Sequence, residues 1–523
     1  MNFWDWLIIG IYIAALLSIS YYLSKGQDTT EDYYLGGRTF KWWQVGLSTM
    51  ATQLGAVSFI SAPAFVGMRE GGGMQWLTYE FAVPLAMIFL ILVIFPPLYK
   101  SGIVSIYEYL ERRFGSSTRL ILSSEFQFSR AFAAGITVFA VAIILSAVFG
   151  IPLWINIIIA GAIALVYDYL GGMKAVVISD VIQMGILAIG ILVCGWYAWD
   201  LLGGWQPLVD NLDPRRLQVI DFSNIGIGSN EEFGFLPMVF GGFFLYASYY
   251  GCDQSQAQRM LSAEDMGQVR KALVFNGTVR FPLVLLYCIM GLMIGTFAVV
   301  SPTFGSEIPA DRPDYMVPIF IVKYLPNGII GLLIVAIFSA AMSSLDSALN
   351  SLSAATVEDF IMRTKTEKLT HSEQMWYSKT TTLFWGVVCI ILAFVAGSIA
   401  ETVIEAINKI GSLFYGPIIA TFALALLTKR TRTAGMNLGI VAGVLCNLVL
   451  WVFFSDQVFW FWWNFTGFIV TAAVAYGYSV LTEGRTADKL IELDKITFRW
   501  KETLLLGIYF IIIIGFSTSL MLL

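Results

Sequence analysis

The chain has 523 residues, of which 58% are hydrophobic and only 13% are charged, and its formal net charge is −5. A soluble globular domain carries roughly 25% charged residues, so the composition excludes an ordinary soluble protein and indicates a polytopic membrane protein. The basic residues are dispersed among short loops, which argues against a nucleic-acid partner.

The predicted spanning helices follow one another along the whole chain. A span needs roughly 20 mostly apolar residues, and about fourteen segments meet that condition. They cover residues 3–23, 43–66, 74–98, 119–149, 151–169, 173–197, 235–252, 272–299, 325–358, 376–397, 403–427, 434–454, 458–481 and 502–522. The first lacks a basic leading region and a small-residue cleavage site, so we expect a retained helix rather than a signal peptide.

The loops predict the orientation. With the N-terminus outside, roughly 23 Lys and Arg fall in cytoplasmic loops and about 5 in outer loops, as the positive-inside rule requires. An even number of helices then places both termini outside. The longest polar stretches, 199–234 and 300–324, are expected to be external loops with short amphipathic helices. We expect a multi-pass protein of the inner or plasma membrane, surrounded by lipid, with no obligate protein partner.

Several kinds of catalytic machinery are missing from the sequence. The chain has five cysteines without C-x-x-C spacing and one histidine, His371, in a charged loop, so no nucleophile–base pair or metal cluster is evident. No phosphate-binding loop is present, which leaves direct drive by ATP unsupported. We therefore expect no enzyme, and a secondary carrier or a channel if the chain transports.

The second predicted helix is interrupted at mid-membrane depth. Gly55 and Pro63 weaken it among a run of hydroxyl side chains that includes Ser58. Broken helices of this kind expose backbone carbonyls to a cation in secondary transporters. An ordinary kinked helix with small packing residues is the alternative interpretation.

Two further spans carry oxygen-rich side chains. Ser343, Asp346, Ser347 and Asn350 are spaced by three and four residues and share one helix face, which suits a hard cation such as Na⁺. Helix–helix packing would also explain the serines. Asp180 lies about two turns inside its helix and needs a cation, a proton or an arginine partner there. Pairing with a cytoplasmic lysine is its simpler explanation.

Aromatic and charged residues mark other positions in the spans. Tyr246 and Tyr249 precede Gly251 at a helix end, where they are expected to form a plug at the inner mouth of a pathway or simply to pack in the core. Isolated charges within spans are functional candidates because burying them is costly. They are Glu80, Arg130, Arg280 and Lys409, and snorkelling to a helix end is expected to explain Arg280.

Six motifs, in order between about residues 30 and 430, resemble those of the sodium/solute symporter family, which includes sodium–sugar, sialic acid, iodide, monocarboxylate and vitamin cotransporters. These are Tyr34-Leu35-Gly36-Gly37-Arg38, Ile106-Tyr107-Glu108-Tyr109-Leu110-Glu111-Arg112-Arg113-Phe114, Gly171-Gly172-Met173-Lys174-Ala175, Asp253-Gln254, Gln258-Arg259, and Ala340 to Asn350 ending in Val357-Glu358-Asp359.

The resemblance implies an all-α membrane fold with a LeuT-type core of two inverted five-helix repeats. In this chain the implied divisions are a leading helix and loop over 1–42, the first repeat over 43–198, the second repeat with its preceding external loop over 199–427, and three additional helices over 428–523.

The resemblance also implies ion sites. The main Na⁺ site would use Ala51, Leu54, Ala340, Ser343 and Ser344, and a possible second site would use Asp180 with Ser343 and Ser347. Asp346 stands where some two-sodium members have serine, so the number of coupled Na⁺ ions, one or two, stays open.

The implied solute pocket gives the last set of candidates, with Tyr249 as the inner gate. The candidate substrate-binding residues are Gln53, Ser58, Glu80, Tyr246, Tyr249, Lys409 and Arg130. Lys409 stands where sugar-carrying members have glutamine, and a lysine facing the pocket favours an anion. We therefore expect Na⁺-coupled symport, by alternating access, of an organic anion or acidic sugar in preference to a neutral sugar. A proton symporter using Asp180 and a membrane solute sensor are the alternatives.

Overall fold

The computed structural model describes residues 1–23, 34–170, 173–229, 231–364, 370–397, 399, 401–483 and 497–521. The regular structure of these residues is helical, and they form no strand. A bilayer supplies no partners for backbone N–H and C=O groups, so spanning segments satisfy them within helices. The predicted all-α membrane architecture is therefore confirmed.

The main helices account for most of the chain. In order they are α1 (Phe3–Leu23), α2 (Trp42–Gln53), α3 (Ala56–Gly67), α4 (Met74–Lys100), α5 (Ile106–Phe114), α6 (Ser116–Phe149), α7 (Leu153–Leu170), α8 (Met173–Leu202), α9 (Phe235–Cys252), α10 (Gln254–Leu261), α11 (Met266–Val300), α12 (Ile329–Ile361), α13 (His371–Ala396), α14 (Val403–Leu427), α15 (Thr433–Phe454), α16 (Phe461–Glu483) and α17 (Trp500–Leu520). Shorter helical segments are Gly36–Arg38, Trp205–Asn211, Pro214–Leu217, Pro302–Glu307, Pro313–Tyr315, Met316–Tyr324 and Met362–Thr364.

Eleven helices in the described part of the chain are long and apolar enough to cross a membrane, or up to twelve if the bent pair α2 and α3 forms one span. Helices α1 and α7 occupy two further predicted spans, with shorter apolar portions at Phe3–Leu16 and Leu153–Leu165. The count of fourteen spans and the division into repeats therefore stay predictions. Within the motif at 171–175, Gly171 and Gly172 lie outside the described residues.

Short helices occur where hydropathy is least informative. Both long external stretches contain them, as expected, at Trp205–Asn211 and Met316–Tyr324. Helices α5 and α10 were not expected from hydropathy, because they are short and amphipathic. Their N-terminal caps are visible in the sequence: the Ser105 hydroxyl accepts a hydrogen bond from the Tyr107 N–H, and Asp253 accepts one from the Ser255 N–H.

The interruption in the second span is a true break. Helix α2 ends at Gln53, α3 begins at Ala56, and their axes differ by 55°. Leu54 and Gly55 have non-helical backbone angles, and a Cβ on Gly55 would lie 2.2 Å from the Ser344 hydroxyl oxygen. Glycine is required here because α12 approaches the break too closely for a side chain. The two halves pack against α11, α8 and α12, so the break lies inside the protein.

Helices α3 and α11 approach each other through glycines. A Cβ on Gly291 would lie 2.5 Å from the Pro63 carbonyl oxygen, and one on Gly295 would lie 2.5 Å from the Gly67 carbonyl oxygen. Small residues let membrane helices approach closely and gain van der Waals contact where lipid offers no hydrophobic driving force. This contact holds the outer half of the broken helix against α11.

Replacing Gly291 with alanine is expected to destabilise the protein, because the new methyl group meets backbone atoms that cannot rotate away. Overpacking of this kind costs about 1–3 kcal/mol in the free energy of unfolding. Thermal unfolding in detergent measures the effect. The matched control is Gly185→Ala in α8, whose added Cβ meets nothing within 4 Å. Equal melting temperatures for the two variants would contradict the close-packing argument.

Candidate functional site

The break between α2 and α3 gathers oxygen atoms from two helices. The Ser344 hydroxyl donates to the Thr52 carbonyl at 3.0 Å and lies 3.3 Å from the Ala340 carbonyl oxygen. Ala51 lies in the last turn of α2 and Leu54 is its C-cap, where carbonyls lack helical partners. Oxygens of this type suit Na⁺. Thr52 is a participant that the sequence analysis did not select, although it lies between two residues that it did select.

Ser343, predicted for the same site, points elsewhere. Its hydroxyl donates to Asp180, which is fully buried on α8, and the Ser48 hydroxyl donates to the other carboxylate oxygen. Arg259 completes the group, with its Nη2 atom 3.1 Å from Asp180 Oδ2. The partner of Asp180 is therefore this arginine from α10, and not the cytoplasmic lysine considered above.

The predicted second sodium residues do meet in space. Ser347 accepts a hydrogen bond from Arg259 and donates one to the Ser343 carbonyl, while its hydroxyl lies 3.2 Å from that of Thr52. Asp346 is buried beside them, with Oδ1 3.3 Å from the Ser347 hydroxyl. The group is thus a hydrogen-bonded cluster that already contains a cation.

A cavity opens beside the helix break. The space inside it that water can occupy is about 80 Å³, and it lies between the broken helix, α6, α9 and α14. Its polar lining includes Thr52, Gln53, Ser58, Asn408, Arg130 and Arg280. Gln53, Ser58 and Arg130 were predicted as solute-binding residues and do face a common space.

Arg280 corrects the sequence interpretation. It was expected to snorkel toward a helix end, yet it is only 2% exposed and lines the cavity. Glu80 accepts two hydrogen bonds from it, at 2.6 Å from Nε and 3.0 Å from Nη2, and Tyr246 bonds to the same carboxylate at 2.9 Å. Glu80 and Tyr246, predicted to contact solute, do not line the cavity. They lie behind Arg280 and orient it.

Arg130 is the second guanidinium at the cavity. It donates to the hydroxyls of Tyr249 and Ser255, and it lies 3.6 Å from the Asp253 carboxylate. Among the described residues, Nε of Arg130 and Nη1 of Arg280 are buried without a hydrogen-bond partner. Two buried guanidinium groups therefore line one small cavity, and this positive charge suits an anion.

Lys409 lies away from the cavity. Its ammonium group is 5.9 Å from the centre of the Trp451 ring on α15, and the neighbouring Asn408 lines the cavity instead. Consecutive side chains on a helix point about 100° apart. The sequence could therefore predict that this segment lines the cavity, but not whether Asn408 or Lys409 faces it. The geometry does not support the predicted contact between Lys409 and solute.

Tyr249, the predicted gate, lies at the end of the cavity where α9 meets α10, which the loop charges predict to face the cytoplasm. Its ring is 6.1 Å from that of Tyr415, and its hydroxyl accepts a hydrogen bond from Gln256 at 3.1 Å. Both tyrosines line the cavity. The end of α9 and the start of α10 thus close the cavity on this side.

At the opposite end of the cavity, which the loop charges predict to face outside, polar contacts cap the start of α14. The Ser61 hydroxyl accepts a hydrogen bond from the Ile404 N–H at 2.9 Å, and Asp314 accepts one from the Val403 N–H at 2.9 Å. Above them, Arg69 pairs with Glu405 at 3.0 Å. These contacts close the cavity toward the outside by capping the first turn of α14 with side chains from neighbouring elements.

Comparisons with known proteins all identify sodium-coupled transporters as similar to this chain. The family model described as "Sodium:solute symporter family" matches residues 33–443. The sodium-coupled monocarboxylate transporter 1 of Xenopus laevis is 30% identical, covering 87% of this chain and 72% of that protein. A putative sodium-dependent multivitamin transporter of Drosophila melanogaster is also 30% identical, covering 87% and 75%.

One solved structure shares the fold closely. A Na⁺-coupled sialic acid symporter in a substrate-bound outward-open state superposes with a TM-score of 0.80 at 24% identity, covering 94% of this chain and all of that one. A likeness at this identity shows that the two proteins share their fold.

Replacing Glu80 with glutamine is expected to destabilise the protein strongly, because it leaves the Arg280 charge buried without a counterion. Breaking one side of a buried ion pair costs about 3–5 kcal/mol in the free energy of unfolding. Urea unfolding in mild detergent measures it. The control is Glu108→Gln, which removes the exposed partner of Arg112 and is expected to cost well under about 1 kcal/mol. Similar losses for both variants would contradict the pairing role of Glu80.

The outer closure is expected to weaken as pH rises. Burial raises the pKa of Asp314 to about 7, against the lowering effect of hydrogen bonds from Ser61 and Val403, and nearby Glu405 raises it further. A group whose pKa is raised in the folded state stabilises that state when protonated. For Asp314 this stabilisation is lost as the pH rises from the ordinary pKa of 3.8 to about 7, and it does not change further above that.

The Asp314→Asn variant mimics the protonated side chain and is expected to keep its stability. Its advantage over the unmodified protein in the free energy of unfolding should grow by up to about 1.4 kcal/mol per pH unit between about pH 4 and about pH 7, and should level off above neutrality. Melting temperatures between about pH 5 and about pH 8 measure this. Asp311→Asn, at a carboxylate with 80% side-chain exposure, is the control and should follow the unmodified protein. A constant difference between Asp314→Asn and the unmodified protein would contradict the assignment.

Proposed function

Because the chain belongs to the sodium:solute symporter family, we propose that it moves a small organic anion across the membrane together with Na⁺. The family consists of membrane transporters, and the chain is accordingly a multi-pass transporter and not an enzyme. The observation that supports an anion is the pair of buried guanidinium groups, Arg130 and Arg280, that line the cavity.

The charges around the cavity favour a carboxylate. Glu80 forms an ion pair with Arg280 and balances its charge, while the Nη1 atom of Arg280 has no hydrogen-bond partner among the described residues. A neutral sugar would satisfy that donor with a hydroxyl, but a carboxylate accepts from both guanidinium groups through charge-assisted hydrogen bonds, which are roughly twice as strong. Hydrogen bonds to charged groups contribute about 1.5–3 kcal/mol each.

The size of the cavity narrows the class of solute. Only about 80 Å³ of the cavity is open to water in this conformation, so its free space is small. A space of this size favours a short monocarboxylate over a larger acidic sugar. Gln53, Ser58 and Asn408 offer hydrogen bonds to a hydroxyl or keto group next to the carboxylate. We therefore favour a hydroxy or keto monocarboxylate.

Sodium would bind at the helix break, with Thr52, Ala340 and Ser344 as its nearest oxygen ligands and Ala51 and Leu54 as further carbonyl ligands. The neighbours Gln53 and Gly55 line the solute cavity. An ion that fixes α2 and α3 against α12 therefore also fixes one wall of the cavity. Coupling of this kind is reciprocal, so Na⁺ raises the affinity for solute by the same factor as solute raises the affinity for Na⁺.

Alternating access would use the two closures described above. Separation of Arg69 and Ser61 from the start of α14 would open the cavity outward, and displacement of Tyr249 would open it inward. We propose that residues 43–198 and 199–427 are the two inverted repeats that move, with α2–α3 and α9 in corresponding first positions. Proton coupling through Asp180 has little support, because Arg259 and two serine hydroxyls already occupy the carboxylate.

Uptake by purified protein in liposomes tests the proposal. Labelled lactate and pyruvate are expected to accumulate under an inward Na⁺ gradient and not under a matched K⁺ gradient, while glucose and sialic acid are not accumulated. The decisive variant is Glu80→Gln with Arg280→Gln, which removes both members of the ion pair and leaves no unpaired buried charge. Loss of one charge-assisted contact is expected to raise KM for the anion by about tenfold to a hundredfold.

Arg312→Gln, at an arginine with 50% side-chain exposure, is the matched control and should leave KM unchanged. Melting temperatures of all variants distinguish a lost contact from a lost fold. Na⁺-dependent accumulation of glucose without any carboxylate would overturn the anion assignment. Uptake that follows a pH gradient equally well in K⁺ would overturn sodium coupling.

A further inference from the structure

The residues proposed for a second Na⁺ surround a side chain of this chain instead. Asp180 comes from α8, Ser343 and Ser347 from α12, and Ser48 from α2, and the guanidinium of Arg259 from α10 lies among them. Arg259 is 1% exposed and Asp180 is fully buried. The cluster is therefore closed to water, and its charge balance is set by these residues.

The hydrogen bonds of Arg259 show how completely it fills the position. Its Nη2 atom donates to both Asp180 and Ser347, Nε donates to Ser48 at 2.8 Å, and Nη1 donates to the Ser255 carbonyl at 2.6 Å. Three of these contacts tie α10 to α2, α8 and α12, and the fourth lies within α10. The guanidinium is thus held by acceptors on every side that the cluster offers.

The oxygens that a second sodium would need are already engaged. Oδ1 of Asp180 accepts from Ser343, and Oδ2 accepts from Ser48 and Arg259. The Ser347 hydroxyl accepts from Arg259 and donates to a carbonyl. A Na⁺ bound between Asp180 and Ser347 would lie next to the guanidinium, and two like charges in a buried site repel strongly. The residues do not fit a second ion while Arg259 is in place.

We propose that Arg259 permanently takes the position of a second sodium ion, so that the protein couples transport to one Na⁺. The ion binds at the helix break, and Arg259 serves as a tethered cation that holds α12 against α8 and α2. If the solute is a monovalent anion, as proposed above, one transport cycle is electroneutral.

Counting bound sodium tests this proposal without any solute, so its outcome does not depend on the solute assignment. Purified protein in detergent is titrated with radioactive Na⁺ in choline chloride, and one ion per chain with a Hill coefficient close to one is expected. Two ions per chain, or a Hill coefficient close to two, would overturn the proposal whatever the variants do.

Variants locate the effect at Arg259. In Arg259→Gln the carboxylate of Asp180 loses its counterion, and the protein is expected to bind a second Na⁺, with the Hill coefficient rising toward two. Arg259→Gln combined with Asp180→Asn removes that carboxylate and should return the count to one. Arg259→Gln that folds, judged by gel filtration, and still binds one ion would show that Arg259 does not exclude sodium.

Two further measurements distinguish a failure of this proposal from a failure of the proposed function. Ser344→Ala should raise the Na⁺ concentration for half-saturation while the count stays at one, because it lies at the helix break. In liposomes, Na⁺-driven uptake of the anion should be insensitive to a potassium-diffusion potential of either sign. Uptake accelerated by an inside-negative potential would overturn single-ion coupling, whereas absence of uptake would overturn the proposed solute and leave the sodium count as the test of Arg259.

Discussion

The break between α2 and α3 is the constraint on which the rest of the structure depends. A bilayer interior offers no hydrogen-bond partners, so carbonyls released by the break must find them within the protein. Ser344 meets this need at Thr52, and α12 lies close enough only because Gly55 has no side chain. The glycine contacts with α11 hold the other half in place. The break costs backbone hydrogen bonds, and the carbonyl oxygens that it releases form an oxygen-rich site.

Buried charged side chains, like the released carbonyls, need partners within the protein. Each buried guanidinium near the site has a carboxylate partner: Arg280 with Glu80, Arg259 with Asp180, and Arg130 with Asp253. The pairs differ in whether the arginine keeps a hydrogen-bond donor without a partner. Arg259 is surrounded by acceptors, whereas Arg280 and Arg130 each keep a buried donor without a partner among the described residues. The first arrangement is suited to holding helices together, and the other two are suited to receiving an anion.

The proposed ion site and the proposed solute cavity share one short stretch of backbone. The Thr52 carbonyl accepts a hydrogen bond from Ser344 at the helix break, and Thr52 and Gln53 both line the cavity. No separate relay is needed for coupling, because a shift of this stretch changes both sites together. The outer contacts at α14 and the inner tyrosines then decide which side of the membrane the shared cavity meets.

The sequence alone predicts those features that depend on neighbouring residues. The apolar segments, the interruption near Gly55 and the position of Asp180 inside its helix could all be predicted, because hydropathy, helix-breaking residues and helix periodicity act over neighbouring positions. Motif resemblance added the family. The short polar helices α5 and α10 escaped hydropathy but carry readable caps at Ser105 and Asp253.

The roles of the charges were decided only by tertiary structure. Arg280 was expected at a helix end and Lys409 at the cavity, but Arg280 lines the cavity and Lys409 lies beside Trp451, because the rotation of each helix is set by its packing. Arg259 is 79 residues from Asp180 along the chain, and Glu80 is 200 residues from Arg280. A sequence shows that a buried charge needs a partner, but only the folded chain brings that partner within hydrogen-bonding distance.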